Sequence, residues 1–282
     1  MSITGRTKTP QPEAPLHPLL HLLGRQSGWS AVRTAAAAAG AERSARALIG
    51  AVAGTHPALI ADISTAVRES SPGAISLVVA PTDRQAEDLA HALRSYLDAG
   101  DIALFPAWET LPHERLSPRS DTIGRRLQVL RAMTGPTEER PRLVVVPVRA
   151  LIQPIVAGIE KLQPVQLIRG KEYSFKDVVR GLSEAAYSRV DLVAKRGEYA
   201  VRGGIIDVFS PTDTTPVRLE FFGDELDEMR RFSVADQRTL NGGEDLTELT
   251  LLPCRELLIT PEVMSRAARL KNDYPAAASM LE

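Results

Sequence analysis

The sequence predicts an α/β protein in which a parallel sheet is accompanied by a smaller, inserted α+β domain. Two observations lead to this fold class. In the first half, apolar runs of strand length alternate with helical patterns, as in parallel sheets with right-handed crossovers. Around residues 164–249 the pattern changes to short strands separated by turns, which indicates a separate small domain.

The first half of the sequence supplies the parallel sheet. The apolar run Ile75–Ala80 has the length of a strand and predicts one that is buried on both faces. Asp83 follows as a candidate N-cap, and the apolar positions after it repeat at helical spacing as far as Leu97. Ile102–Phe105 and Leu143–Pro147 are the next strand-like runs, so strand and helix alternate as a parallel sheet requires.

Strands dominate the inserted segment. One helix is predicted over Asp177–Glu184, and turn-forming residues at Pro211–Asp213 and Gly223–Asp224 separate the strands around them. The predicted strands are Val165–Ile168, Tyr199–Val201, Ile205–Phe209, Val217–Phe222 and Glu228–Val234.

Composition excludes several classes of protein. Of the 282 residues, 44% are hydrophobic, which excludes wholesale disorder. With 34 Lys and Arg against 35 Asp and Glu, the formal net charge of −1 excludes a nucleic-acid-binding sleeve over the whole surface. The single cysteine, Cys254, excludes a disulfide framework and a cysteine-based zinc cluster.

Nothing in the first residues predicts export. Met1–Gln11 is polar and lacks the apolar run of a signal peptide, and no apolar run reaches the roughly 18 residues of a membrane span. We therefore expect a cytoplasmic protein without a membrane partner, in which residues 1–14 form a flexible tail. The sequence stops at Glu282 soon after a helical pattern, from which we expect a fragment of a longer protein.

The segment beginning at Gly50 lies where an α/β nucleotide-binding domain would carry its phosphate loop. Against the pattern Gly, four residues, Gly-Lys-Ser/Thr, the second glycine becomes Thr55, the lysine His56 and the hydroxyl residue Pro57. Neutral histidine replaces the phosphate-binding charge, and proline has neither a hydroxyl for Mg²⁺ nor a backbone N–H. Whether this is a degenerate loop or a glycine-containing helix start, we expect no ATP site.

No other catalytic or metal-binding constellation is predicted, because the five histidines have no metal-ligand spacing. A DNA-binding alternative depends on the basic residues Arg115, Arg119, Arg125 and Arg126, which would contact phosphates. The competing interpretation is an amphipathic helix over Thr122–Leu130 with a basic solvent face. Three acidic residues in the same segment favour the second interpretation.

Five runs of residues carry a family resemblance: Phe105–Pro112, Ser117–Asp121, Gly197–Phe209, Arg218–Asp227 and Asp236–Thr239. Together they resemble the first domain of bacterial transcription-repair coupling factors. The same region is similar to the front of UvrB, a nucleotide-excision-repair helicase with an intact phosphate loop and an aromatic-rich hairpin that clamps damaged DNA. This sequence lacks both features, which favours the coupling factors. A UvrB-like ATP-dependent damage-binding helicase fragment is the alternative.

The resemblance implies the fold in more detail. Residues 15–163 would form a degenerate P-loop, helicase-like domain similar to UvrB domain 1a. Residues 164–249 would form domain 2, which binds UvrA in that family, and residues 250–282 would begin domain 1b. The chain would thus be the N-terminal, UvrA-recruiting module of the longer protein.

The resemblance also implies where other activities lie. RNA polymerase, DNA, ATP and Mg²⁺ would be bound by parts of the longer protein outside this chain, among them an ATP-driven DNA translocase. No enzyme activity and no cofactor are therefore expected here. The absent C-terminal part would cover the UvrA site until the motor engages.

Four residues are candidates for the UvrA contact. Alternation along Val217–Phe222 places Arg218, Glu220 and Phe222 on one face, where an aromatic anchor lies between opposite charges. If the strand ending at Arg202 pairs with this one, Arg202 can lie beside Arg218. The resemblance assigns all four to the UvrA contact. Alternatively, Arg218 and Glu220 form an ordinary surface charge pair, and Phe222 covers the sheet edge or packs on the neighbouring helix.

Overall fold

The computed structural model describes residues 14–42, 48–111, 114, 116–159, 162–240 and 246–274. The helices in these ranges are α1 His17–Leu23, α2 Ser27–Glu42, α3 His56–Ser70, α4 Asp83–Leu93, α5 Ser120–Thr134, α6 Val148–Ile152, α7 Phe175–Glu184 and α8 Pro261–Asp273. The strands are β1 Ser76–Ala80, β2 Ile102–Leu104, β3 Leu143–Pro147, β4 Val165–Ile168, β5 Ser188–Arg189, β6 Glu198–Arg202, β7 Ile205–Val208, β8 Val217–Phe222, β9 Glu225–Arg231 and β10 Glu248–Leu251.

These residues form two compact units. The first comprises the described residues up to Ala107 together with Val129–Gln153. The second comprises Trp108–Gln128 and the described residues from Pro154 onward. The mixed α/β class predicted from the sequence is confirmed. The predicted domain boundaries stay a prediction, and residues 1–13 and 275–282 of the predicted outer segments lie outside the described residues.

A three-stranded parallel sheet in the order β1-β3-β2 forms the centre of the first unit. Leu143 and Val145 of β3 pack with Ala86, Ala90 and Leu93 of α4 on one face. Val144 and Val146 pack on the other face, in one cluster with Phe105 and Val129. The N-cap of helix α4 is Thr82, one residue before the predicted cap Asp83, which is the first residue of the helix; the Thr82 side chain accepts a hydrogen bond from the backbone N–H of Gln85.

The prediction that the first strand is buried on both faces was wrong. Strand β1 lies at an edge of the three-stranded sheet, and its side chains Leu77 and Val79 are 54% and 45% exposed. An unbroken apolar run indicates burial but does not distinguish a central strand from an edge strand. The central position belongs to β3, whose five residues are all buried.

The second unit is organised around a five-stranded sheet in the order β5-β6-β7-β8-β9. One face of this sheet forms the core, where Ile206, Leu219 and Met229 pack with Val178 and Leu182 of α7. The antiparallel pair β4 and β10 contributes Leu167, Leu249 and Leu251 to the same cluster. Helix α7 is amphipathic, and it packs on the sheet through its buried apolar side chains Val178 and Leu182.

No helix in the described part of the chain combines the length and the apolar character that crossing a bilayer requires.

Candidate functional site

We call the side of the five-stranded sheet opposite α7 the outer face. Because side chains alternate along each strand, the register places on it Ala200 and Arg202 of β6, Ile205 and Asp207 of β7, Arg218, Glu220 and Phe222 of β8, and Glu225, Glu228 and Arg230 of β9. All four residues predicted for the UvrA contact are in this set.

Two rows of side chains run across the outer face. One row is Ala200, Asp207, Arg218 and Arg230, and the next is Arg202, Ile205, Glu220 and Glu228. The condition under which Arg202 could lie beside Arg218, pairing of β6 with β8, is not met, because β7 lies between these two strands. Arg202 shares its row with Glu220 instead, two strands away and therefore about 10 Å along the sheet.

Arg218 is bound to the residue opposite it on β7. Its Nε and Nη2 atoms donate hydrogen bonds of 2.7 and 2.9 Å to the two carboxylate oxygens of Asp207. Its guanidinium carbon lies 4.9 Å from the ring centroid of Phe232. The hydrogen bonds to Asp207 raise the pKa of Arg218, while its partial burial acts in the opposite direction. Arg218 is therefore a fixed cation.

This pairing takes Arg218 largely out of solvent. Its side chain is 20% exposed and that of Asp207 is 4% exposed, so the pair is largely desolvated. The alternative in which Arg218 pairs with Glu220 was also wrong about the partner, since the carboxylate that Arg218 binds is that of Asp207. Replacing Arg218 alone would leave a buried carboxylate without its cation, which destabilises a fold.

Phe222 is exposed to solvent at the end of the outer face where β8 ends. It is 83% exposed, although it is the last residue of β8 and its neighbour Phe221 packs edge-to-face on Phe175 in the core at 5.2 Å. A β-bulge on β9 lets Phe221 pair with Leu226 and Phe222 with Glu225. The alternative in which Phe222 covers the sheet edge does not fit this exposure.

The turn between β6 and β7 contributes no side chain near this end of the face. Gly203 has φ of +59°, which favours glycine, and the Gly204 carbonyl accepts a hydrogen bond from the Phe221 N–H at 2.9 Å. A Cβ atom on Gly204 would lie 3.0 Å from the Phe221 carbonyl oxygen. The two glycines thus allow the turn to lie against β8.

Arg202, which is exposed, and Glu220, which is half-buried, lie toward the same end of the outer face as Phe222. The Arg202 guanidinium donates a hydrogen bond to the backbone carbonyl of Asp191. Within the described ranges no carboxylate forms a salt bridge with Arg202, in contrast to Arg230, which pairs with Glu228. Arg202 therefore brings an uncompensated positive charge to the outer face.

The opposite end of the outer face is closed. Val193, Ala200, Phe209 and Phe232 form a small buried cluster there, which we call the outer cluster. Their fractional exposures do not exceed 6%. The outer face is consequently divided into a sealed part behind Asp207 and Arg218 and an open part formed by Arg202, Glu220 and Phe222.

The sequence did not single out Asp207 or Phe232. Alternation along β7 places Asp207 on the side away from Ile206 and was therefore a usable signal. Its partner could not be predicted, because the order of strands in the sheet is not visible in the alternation of any one strand. Phe232 follows β9 and reaches Arg218 only through the folded register.

The segment around Gly50 has the geometry of a helix start. Helix α3 begins at His56 with Pro57 in its first turn, after a 3₁₀ turn at Ala53–Thr55. The Thr55 hydroxyl donates to the Val52 carbonyl at 2.7 Å, and a ring nitrogen of His56 lies 3.2 Å from the Ala51 carbonyl oxygen. In the described residues before α3 there is no strand, which a phosphate loop would follow.

The basic segment of the DNA-binding alternative is not a free basic face. Arg126 is fully buried and its Nε donates to Glu256, so neither phosphate contact nor a solvent-facing position fits it. Arg119 forms a salt bridge with Asp121 at 3.1 Å, Arg125 is exposed, and Arg115 lies outside the described residues. Over the described residues, no group of three or more His, Cys, Asp or Glu is placed to hold a metal ion.

Comparison with known proteins places the outer face in a known domain. Residues 165–257 match the family described as the UvrB interaction domain, a range that contains β4 to β10 and all four predicted contact residues. Over 208 residues, 72% of this chain, the sequence is 51% identical to 17% of the transcription-repair-coupling factor of Mycobacterium bovis. The chain is a relative of the transcription-repair-coupling factors.

The chain is also similar to the transcription-repair-coupling factors of other bacteria. That of Escherichia coli is 35% identical over 219 residues, which are 77% of this chain and 18% of the relative. That of Haemophilus influenzae is 36% identical over 183 residues, 64% of this chain and 15% of the relative. The chain thus spans less than a fifth of the curated relatives it matches, and the predicted resemblance is confirmed.

Proposed function

We propose that this chain recruits UvrA through the open part of the outer face, as the N-terminal module of a transcription-repair coupling factor. The observation that carries the proposal is Phe222, an aromatic side chain 83% exposed at the end of a strand whose other face is core. It lies inside the range that matches the UvrB interaction domain. A single exposed aromatic among charges is the composition of an interface anchor.

Each residue of the open part has a distinct function in this proposal. The Phe222 ring is buried in an apolar recess of UvrA and supplies most of the affinity. Arg202 brings the uncompensated charge, which orients the approach of the partner and increases the association rate. Glu220 lies between them on the same face and pairs with a donor of the partner. Arg218 contributes from the border of the sealed part.

The proposal is tested by titrating purified UvrA into the whole chain and into Phe222→Ala. We expect at least a tenfold loss of affinity, because truncating an interface anchor removes its buried area. The unfolding free energy should stay within about 0.5 kcal/mol of the wild type, because the ring is solvent-exposed in the free chain. Arg202→Ala should weaken binding as well.

Ile259→Ala is the matched control, since Ile259 is a large apolar residue, 81% exposed, outside the range that matches the family. It should bind UvrA as tightly as the wild type. Wild-type affinity for both Phe222→Ala and Arg202→Ala would contradict the assignment of this face.

We propose that the three-stranded parallel unit is a degenerate P-loop, helicase-like scaffold without a nucleotide site. The support is the helix start at His56 and Pro57, which provides neither the lysine nor the hydroxyl of a phosphate loop. In this proposal ATP, Mg²⁺, DNA and RNA polymerase are bound by other parts of the longer protein, and one of those parts masks the UvrA face at rest.

A further inference from the structure

We infer that Asp207 is a positioning residue of the UvrA-binding face and acts through Arg218. This inference rests on the proposed function. Asp207 belongs to the outer face but is only 3% exposed, so a partner docking on this face does not contact it directly. Its importance comes from its effect on Arg218, which it holds in place beside the open part.

The geometry fixes Arg218 from two sides. Asp207 accepts from Nε and Nη2, which engages one edge of the guanidinium in two parallel hydrogen bonds. The ring of Phe232 lies against the same group at 4.9 Å. A flexible side chain with four rotatable bonds is thereby reduced to one orientation before any partner arrives, which lowers the entropic cost of binding.

Arg218 keeps donors for a partner in this arrangement. A guanidinium has five N–H groups, and Asp207 accepts from two of its nitrogen atoms. The side chain is 20% exposed, so its accessible part lies at the border between the sealed and open parts of the face. Because Asp207 compensates its charge, Arg218 offers directed hydrogen bonds and a flat surface more than a net charge.

Asp207→Asn tests this function. The amide keeps the size of the carboxylate, but its NH₂ group would face an N–H donor of Arg218, so only one of the two parallel hydrogen bonds can remain and its acceptor is no longer charged. We expect UvrA affinity to fall about tenfold, as for loss of a charge-assisted hydrogen bond. In an Arg218→Ala background, Asp207→Asn should change the affinity no further, because Asp207 acts through Arg218.

Arg218→Lys is the second variant and keeps the charge while removing the fork that binds two carboxylate oxygens. It should weaken binding to a similar extent. Ile206→Val is the control for stability alone, since Ile206 is the buried neighbour of Asp207 on the opposite face of β7. It lowers stability but should leave affinity unchanged when all variants are measured well below their unfolding temperatures.

The outcomes separate this inference from the proposed function. If Phe222→Ala weakens binding while Asp207→Asn and Arg218→Lys bind as the wild type, the positioning function is wrong and the docking face stands. Equal losses from Asp207→Asn in the wild-type and Arg218→Ala backgrounds would also overturn it. If Phe222→Ala, Arg202→Ala and Asp207→Asn all bind normally, the docking face itself is wrong.

Discussion

Arg126 lies fully buried and donates through Nε to the Oε1 atom of Glu256, which also accepts from the indole N–H of Trp108 at 3.2 Å. The Arg126 guanidinium lies 5.0 Å from the Trp108 ring centroid. Trp108 and Glu256 are 148 positions apart in the sequence. The contacts among Trp108, Arg126 and Glu256 therefore join distant segments of one compact unit. In this buried pair, removal of either residue leaves the charge of the other uncompensated.

Arg126→Ala should therefore lower the unfolding free energy by about 3–5 kcal/mol, because it leaves the buried Glu256 carboxylate without its cation. Urea denaturation of the whole chain measures the effect. Arg180→Ala is the matched control, since Arg180 forms exposed salt bridges with Asp177 and Glu184 and should cost less than about 1 kcal/mol. Similar losses for the two variants would contradict the importance of burial.

Gly197 and Gly158 have the same φ of +85° but different surroundings. A Cβ atom on Gly197 would clash with Ser120 Oγ and lie 3.2 Å from Cys254 Sγ, whereas none of the described atoms lies within 4 Å of one on Gly158. Gly158→Ala should cost about 1 kcal/mol for its backbone conformation alone. Gly197→Ala should cost at least about 1 kcal/mol more, because overpacking is added.

Thermal unfolding of the two glycine variants gives the comparison directly. A lower midpoint for Gly197→Ala than for Gly158→Ala is the expected order. Equal midpoints would mean that Ser120 moves aside at no cost.

ATP with Mg²⁺ should produce no binding heat in calorimetry with this chain, even at millimolar nucleotide. The physical reason is local: Pro57 lacks an N–H, the Thr55 hydroxyl already donates to Val52, and His56 lacks the permanent charge of lysine. Micromolar binding would instead favour an ATP-dependent enzyme. Replacing His56 by Lys should not create a site, because the missing N–H and hydroxyl remain missing.

Cys254 should react with iodoacetamide only after unfolding. The thiol is 1% exposed, and burial raises its pKa to about 12. Because the thiolate is the nucleophile, an increase of the pKa from 9.0 makes it about a thousandfold rarer at pH 8. Mass spectrometry with and without urea measures the labelling. Rapid labelling of the native chain would contradict the buried position.

The same thiol makes stability depend on alkaline pH. The unfolded chain releases the Cys254 proton above its ordinary pKa near 9, while the folded chain retains it up to about 12. Over that window the unfolded state binds fewer protons, so stability falls by up to about 1.4 kcal/mol per pH unit. Cys254→Ser should reduce this slope in urea titrations at successive pH values.

The sequence was sufficient for what depends on local pattern. Alternation along β8 placed Arg218, Glu220 and Phe222 on one face, and the structure has them there. It was insufficient for what depends on strand order, so the position of Arg202 relative to Arg218 stayed conditional on a pairing of β6 with β8 that does not occur. The partner of Arg218 is Asp207, a contact that exists only after β7 and β8 pair.

Burial was predicted less well for the same reason. Leu77 and Val79 belong to an apolar run, yet their strand lies at an edge of the sheet and both side chains are exposed. For Arg126 the prediction was wrong in the opposite direction. As a charged residue on an amphipathic helix it was expected to be exposed to solvent, but it is buried and donates a hydrogen bond to Glu256. In both cases the deciding neighbour comes from a distant part of the chain.

The outer cluster of Val193, Ala200, Phe209 and Phe232 fills one end of the outer face, while the end next to the β6–β7 and β8–β9 turns is open. If the outer face binds a partner as proposed, the partner contacts only the open end. The orientation of the complex is then set by this chain and does not depend on how the partner first approaches.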